Sequence, residues 1–149
     1  MWHFEDFEVG QIERFGSYSV TREEVIAFAS AYDPQAFHLD DEAAAANPIF
    51  GRLSASGWHT AAMTMRMIVD HDRERGRTGM GSPGLDELSW LKPVYPGDTL
   101  SVEVEIISKS EPRSRPDIGF LKHRTIVFNQ HGEPVMRQIG NSIQAKRGA

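Results

Sequence analysis

The chain has 149 residues, no cysteine and a formal net charge of −5, with 40% hydrophobic and 25% charged residues. That length accommodates one domain, residues 1–149, with a sizeable core and no second domain. The acidic balance and the lack of a dense Lys/Arg block argue against a nucleic-acid partner, and the absence of cysteine removes disulfides, thiolate metal sites and a Cys nucleophile together. The opening MWHFEDFEVG has neither the basic nor the apolar region of a secretory signal. No apolar run approaches the roughly 20 residues needed to span a bilayer, so the expectation is a cytoplasmic protein without a membrane partner.

In chain order, an early strand is expected over residues 11–20. Thr21 then reads as a helix cap, with Glu24 reaching back to it and Val20 stapled onto Val25. Val25, Phe28, Ala29 and Tyr32 follow at helical spacing, and Pro34 biases Asp33 away from helical geometry, which ends the helix near Tyr32. A short second helix is expected after Asp40, with Asp41 and Glu42 in its first turn, stopping before Pro48. From Gly57 a longer helix is expected. Trp58, Ala61, Ala62, Met65, Ile68 and Val69 mark one apolar stripe, and Met63 and Met67 add a second face, the pattern of a helix wrapped by other structure. Its charged end, Asp70 to Arg75, is expected in solvent, and residues 76–84 read as a Gly-rich connection.

The periodicity then changes. Leu88-Ser89-Trp90 precedes a Pro-Val-Tyr-Pro-Gly-Asp turn, after which Leu100, Val102, Val104 and Ile106 alternate with Ser101, Glu103 and Glu105, the period of a half-buried strand. A polar loop is expected over residues 108–117, then two strands near 119–129 and 134–146 around the turn at Gly132. The order predicts an α+β fold: three or four antiparallel strands following one wrapped helix, with a sheet edge or face that needs a partner. A symmetric homodimer, or a dimer of dimers, meets that need.

Asp33 and His38 stand five residues apart in a Pro-broken loop, and Ser54-Ala55-Ser56-Gly57 opens the long helix. Taken singly these are ordinary structural features: Asp-Pro stops helices, and a lone histidine is more often packed than reactive. Together with the later turn they resemble the MaoC-like dehydratases, or R-specific enoyl-CoA hydratases, of the hotdog fold. The resemblance rests on Asp33, His38-Leu39-Asp40 and the Ala43–Ala46 run, on Ser54 to Gly57, and on Lys92-Pro93-Val94-Tyr95-Pro96-Gly97-Asp98-Thr99-Leu100. Those elements come in the family's order over nearly the whole chain. Gln35 and Ala36 depart from the usual Asn-Pro, so the loop keeps a polar group and loses a rigid one.

The resemblance implies an antiparallel sheet wrapped around a central helix, and a dyad of Asp33 and His38 on one side of an enoyl thioester, giving syn hydration to an R-3-hydroxyacyl product. The chemistry is consistent with the residue types, because hydration needs a base for water, an acid for the α-carbon and donors for the enolate oxygen. The N–H of Gly57 is the candidate enolate donor, at a helix start whose first amides are unpaired; Ser56 either caps that helix or adds a donor. Gln35, Ser54, Ser56 and Trp58 complete the candidate substrate-binding set, although Trp58 and Met63, Met65 and Met67 also read as core. Candidate anchors for coenzyme A phosphates are Arg52, Lys92, Arg113 and Arg115. No metal or redox cofactor is implied, coenzyme A being part of the substrate.

Three other readings stand beside this one. His38-Leu39-Asp40 with His123 or His131 has the composition of a non-haem iron triad. A hotdog dimer could bind acyl-CoA without catalysis, as a sensor or a partner subunit. A hotdog thioesterase is admissible by fold, but such enzymes commonly carry a carboxylate on the central helix, and residues 57–69 contain none. His59 reads as structural or pocket-lining, and Gly97-Asp98 as a tight turn.

Overall fold

A computed structural model describes residues 1–148. Strand β1 (Ile12–Ser19) leads into helix α1 (Arg22–Tyr32), a 3-10 turn (Ala36–His38), helix α2 (Asp41–Ala46) and the 18-residue helix α3 (Gly57–Glu74). Four strands follow: β2 (Gly81–Trp90), β3 (Thr99–Ser110), β4 (Ile118–Phe128) and β5 (Pro134–Ala145). They form one antiparallel sheet in the order β1-β3-β4-β5-β2. The sheet and its long helix are the hotdog architecture.

The caps follow local chemistry. Thr21 accepts the Glu24 N–H at 3.2 Å, but the Glu24 carboxylate does not return to the cap; it accepts the Tyr18 hydroxyl at 2.6 Å. Only half of the expected capping box therefore forms. Asp40 caps α2 through the Ala43 N–H at 2.9 Å.

The core lies between α3 and the sheet. Val25, Met63, Met67, Leu100, Val102 and Val127 pack together, with Leu100 and Val127 fully buried. The buried face of α3 is His59, Thr60, Met63, Thr64 and Met67, not the Trp58–Met65 stripe, of which Trp58 is 59% and Met65 54% exposed. Two threonines enter the core because they are small; Thr64 satisfies its hydroxyl on the Thr60 carbonyl at 2.8 Å. Ala61 and Ile68 of the wider stripe pack partly against the core, whereas Trp58 and Met65 face outward and are not core.

Two other expectations are corrected. Residues 81–84 belong to β2 rather than to a loop, and β3 runs on to Ser110, which shortens the following loop to 111–117. The charged end of α3 reaches solvent at Arg73, Glu74 and Arg75, as expected, but is also tied to β1. His71 and Arg75 meet Glu13 of β1, and the nearly buried Arg77 forks onto the same carboxylate at 2.6 and 3.1 Å. The Arg77 guanidinium also lies 3.9 Å from the Trp2 ring centroid, which fastens the N-terminal segment to that end of the molecule.

Strand β2 is an edge strand with almost every residue exposed. Its free edge carries the exposed Leu85 and Trp90 and meets the exposed Trp58 of α3 at Trp90. Among the described residues no helix is long and apolar enough to cross a membrane.

Because Leu100 is fully enclosed between sheet and helix, Leu100→Ala should lower unfolding stability by about 2–5 kcal/mol, read as a reduced midpoint in chemical denaturation.

Candidate active site

The break after α1 and the start of α3 meet at one carboxylate. Asp33 ends α1, its N–H still bonded to the Ala29 carbonyl at 2.9 Å. Its side chain turns toward α3, where Oδ2 accepts the Ser56 hydroxyl at 2.7 Å and Oδ1 accepts the Gln35 side-chain amide at 2.6 Å. A carboxylate only accepts, so the NH2 of Gln35 faces it. Gln35 thus supplies polar support for this loop, and its own N–H and carbonyl bond to the Asp33 carbonyl and the His38 N–H.

His38 is buried on the adjacent 3-10 turn. Its Nδ1 lies 2.7 Å from the Ser54 carbonyl, and its Nε2 lies 3.6 Å from Asp33 Oδ2. A carbonyl only accepts, so Nδ1 carries a proton and the neutral ring presents a lone pair at Nε2. The 3.6 Å separation is too long for a hydrogen bond. Phe37 and Phe50 pack about the imidazole, with centroids at 4.5 and 5.6 Å.

The Ser56 hydroxyl, followed by the Gln35 amide and the His38 ring, holds the Asp33 carboxyl below its ordinary range, outweighing its partial burial. Asp33 is therefore ionised at neutral pH. A depressed folded-state pKa contributes stability above the unfolded carboxylate range and loses it as pH falls through the folded value.

Ser56 is the N-cap of α3 yet makes no side-chain cap, because its hydroxyl is committed to Asp33. The first amide of the helix, that of Gly57, donates no hydrogen bond among the described residues. Gly57 is constrained from another side: a Cβ there would stand 2.5 to 2.8 Å from the Trp90 indole. The glycine therefore admits Trp90 as well as leaving the helix end approachable. His38, Gly57, Thr60 and Trp90 line one cleft of about 310 Å³ with Phe50 and Val94.

The remaining candidates divide by position. Ser54 is fully buried; its carbonyl holds His38 while its hydroxyl has no partner among the described residues. Trp58 is exposed and meets Trp90 edge-on at 5.0 Å. Arg52 lies 3.9 Å over the Tyr95 ring, whose hydroxyl bonds the Phe50 carbonyl, so it sits beside the cleft. Lys92 lines the cleft and pairs with Glu133. Arg113 and Arg115 lie in the loop before β4, whereas the cleft adjoins the opposite end of the sheet, where Trp90 pairs with Met136 and Met136 with Val127. Strand β4 separates the two ends by roughly 30 Å at about 3.3 Å per residue. Within one chain Arg113 and Arg115 do not reach Asp33, and Arg115 is occupied by Asp117.

Trp90 was not among the residues singled out for the site. It stands at the end of β2, far in sequence from Gly57, and only the fold brings them together. The iron-triad grouping is not assembled: His38 Nδ1 is engaged by Ser54, Asp40 caps α2, and among the described residues no three His, Asp or Glu side chains converge as metal ligands. His59 is buried and stacked on Phe28 at 4.8 Å; burial lowers its pKa, partly offset by Glu24. Asp98 closes its turn by accepting the Tyr95 N–H and the Gln130 amide.

The fold agrees with the comparisons. Residues 7–118 match the model of the MaoC-like domain, and the chain belongs to that family. Over its full length it is similar to the crystal structure of the MaoC-like dehydratase from Rhodospirillum rubrum, with 36% identity, TM-score 0.88 and complete coverage of both chains. It is also similar to the (R)-hydratase from A. caviae involved in PHA biosynthesis, at 29% identity and TM-score 0.64 over 95% of this chain and 98% of that one. A stretch of 64 residues is 41% identical to the mesaconyl-CoA hydratase of Cereibacter sphaeroides, covering 43% of this chain and 18% of that protein.

Since Ser56 is the principal group depressing the Asp33 pKa, Ser56→Ala should raise that pKa. If Asp33 must be ionised to act, the acidic limb of the kcat/KM profile for enoyl-thioester hydration then moves to higher pH. An unmoved limb would separate Ser56 from the control of Asp33.

Proposed function

We propose that the protein hydrates a trans-2-enoyl-CoA to an R-3-hydroxyacyl-CoA and catalyses the reverse dehydration, with Asp33 and His38 acting on one water. The observation that carries this reading is the 3.6 Å gap between Asp33 Oδ2 and His38 Nε2, with Nδ1 engaged by Ser54. Both facing atoms are acceptors. One water satisfies both by donating a hydrogen to each, and its oxygen keeps lone pairs for attack on the β-carbon.

As the carbon–oxygen bond forms, the water gives up a proton to the dyad and the electron pair of the double bond moves into the thioester as an enolate. The Gly57 N–H, at the positive end of α3, is the donor for that oxygen. Return of a proton to the α-carbon from the dyad side completes a syn addition. Two acceptors sharing one water work as a unit rather than as separable contributions. The reading requires no metal or redox cofactor.

Arg52 and Lys92 are the cations near the cleft and the proposed anchors for the coenzyme A phosphates. The absence of a carboxylate from the first three turns of α3 favours hydration over thioester hydrolysis; Asp70, the first acid on that helix, is paired with Arg66 at 2.9 Å. A non-catalytic acyl-CoA binder would have no use for the ordered pair of acceptors.

A homodimer belongs to the same reading. The exposed edge of β2 and the outward Trp58–Met65 face of α3 are two adjoining unpaired surfaces, and a second copy covers both under twofold symmetry.

Asp33→Asn and His38→Ala should each lower the hydration rate of crotonyl-CoA by about 10²–10⁴-fold, followed by the loss of enoyl-thioester absorbance, with circular dichroism unchanged. Near-normal turnover in either variant would remove the dyad. For the assembly, light scattering should give twice the chain mass, and Met65→Glu should shift it toward the monomer; a monomeric wild type would contradict the interface.

A further inference from the structure

We propose that Trp90 is a specificity-determining residue, the wall that restricts the acyl group to short, uncharged chains. The inference rests on the hydratase reading and goes beyond it by naming the acyl class. The indole lies directly against the Gly57 α-carbon, so close that no side chain fits between them. It is braced edge-on by Trp58 at 5.0 Å, and the Leu91 N–H that follows it is bonded to the Val135 carbonyl at 2.8 Å, which anchors the strand end. An acyl chain whose thioester oxygen meets the Gly57 N–H therefore has the Trp90 ring alongside its first carbons.

At about 310 Å³ the cleft is near the lower bound of small-molecule sites. Ala55, Thr60 and Val94 are its buried wall, with His38 beside them, and the exposed Leu91 and Lys92 are at its rim. Among the described lining residues the one Lys or Arg is Lys92, half-exposed and paired with Glu133. A second carboxylate that reached the buried wall of Ala55, Thr60 and Val94 would meet no Lys or Arg there.

The test compares kcat/KM for trans-2-enoyl-CoAs of four, six and eight carbons, and for mesaconyl-CoA, in wild type, Trp90→Ala and Trp90→Phe. Wild type should prefer the four-carbon chain over the eight-carbon one by at least tenfold. Trp90→Ala should narrow that ratio at least tenfold by admitting the longer chain, and Trp90→Phe should fall between. Light scattering and circular dichroism check that each variant keeps its assembly and fold; should the alanine variant fail them, the phenylalanine variant alone must still narrow the ratio. Equal wild-type rates for four and eight carbons, a ratio unchanged by the substitutions, or a preference for mesaconyl-CoA would overturn the role of Trp90 while leaving the hydratase reading intact. Hydration of none of the panel by wild type would overturn both.

Discussion

The hydrogen bond from Ser56 to Asp33 joins the two parts of the molecule on which the rest of the site depends. One partner ends α1, in a loop that Pro34 keeps out of helical geometry; the other begins α3, the helix around which the sheet is wrapped. At 2.7 Å to a charged acceptor it is of the stronger kind of hydrogen bond. It diverts Ser56 from capping its own helix, and the Gly57 amide remains without a partner among the described residues. The same bond stabilises the ionised Asp33 and aims its free lone pairs at His38. One hydroxyl thus stabilises the carboxylate beside the helix start, where the N1 amide of Gly57 lies beyond the reach of any N-cap side chain.

The Asp33–His38 pair is held by one backbone carbonyl and one side-chain amide. The Ser54 carbonyl determines which imidazole nitrogen carries the proton, and Gln35 holds the second carboxylate oxygen. Both supports lie within the segments that carry the candidate groups, with Gln35-Ala36 standing where the resemblance places Asn-Pro. The longer Gln side chain reaches the carboxylate at 2.6 Å, and the 3-10 turn over Ala36–His38 sets the His38 backbone without proline.

Much of this was legible in the sequence because it is local. The Thr21 cap, the helix start after Asp40, the stop at Pro34 and the alternation from Leu100 to Ile106 all depend on neighbours within a few positions, whereas the grouping of Asp33, His38 and Gly57 came from the family resemblance. What escaped the sequence depends on tertiary placement. α3 is apolar over most of its circumference, so periodicity does not say which stripe is buried; Thr60 and Thr64 turn inward and Trp58 and Met65 outward. Glu24 fits a capping box locally, yet the Tyr18 hydroxyl wins its carboxylate. The basic residues 113 and 115 look equivalent to Arg52 and Lys92 until strand pairing puts them at the other end of the sheet. Trp90 becomes visible only when β2 brings its indole onto Gly57.

In the proposed hydration, one water held by two acceptors on one face of an enoyl plane delivers oxygen and hydrogen to that same face, and this stereochemistry is the most direct consequence of the proposal. Hydration of crotonyl-CoA in deuterium oxide, followed by assignment of both new stereocentres in the product, measures it. The account predicts an R hydroxyl at C3 with deuterium added syn at C2. An anti product, or a mixture of configurations at C2, would contradict it, because the proton would then come from a group other than the Asp33–His38 pair.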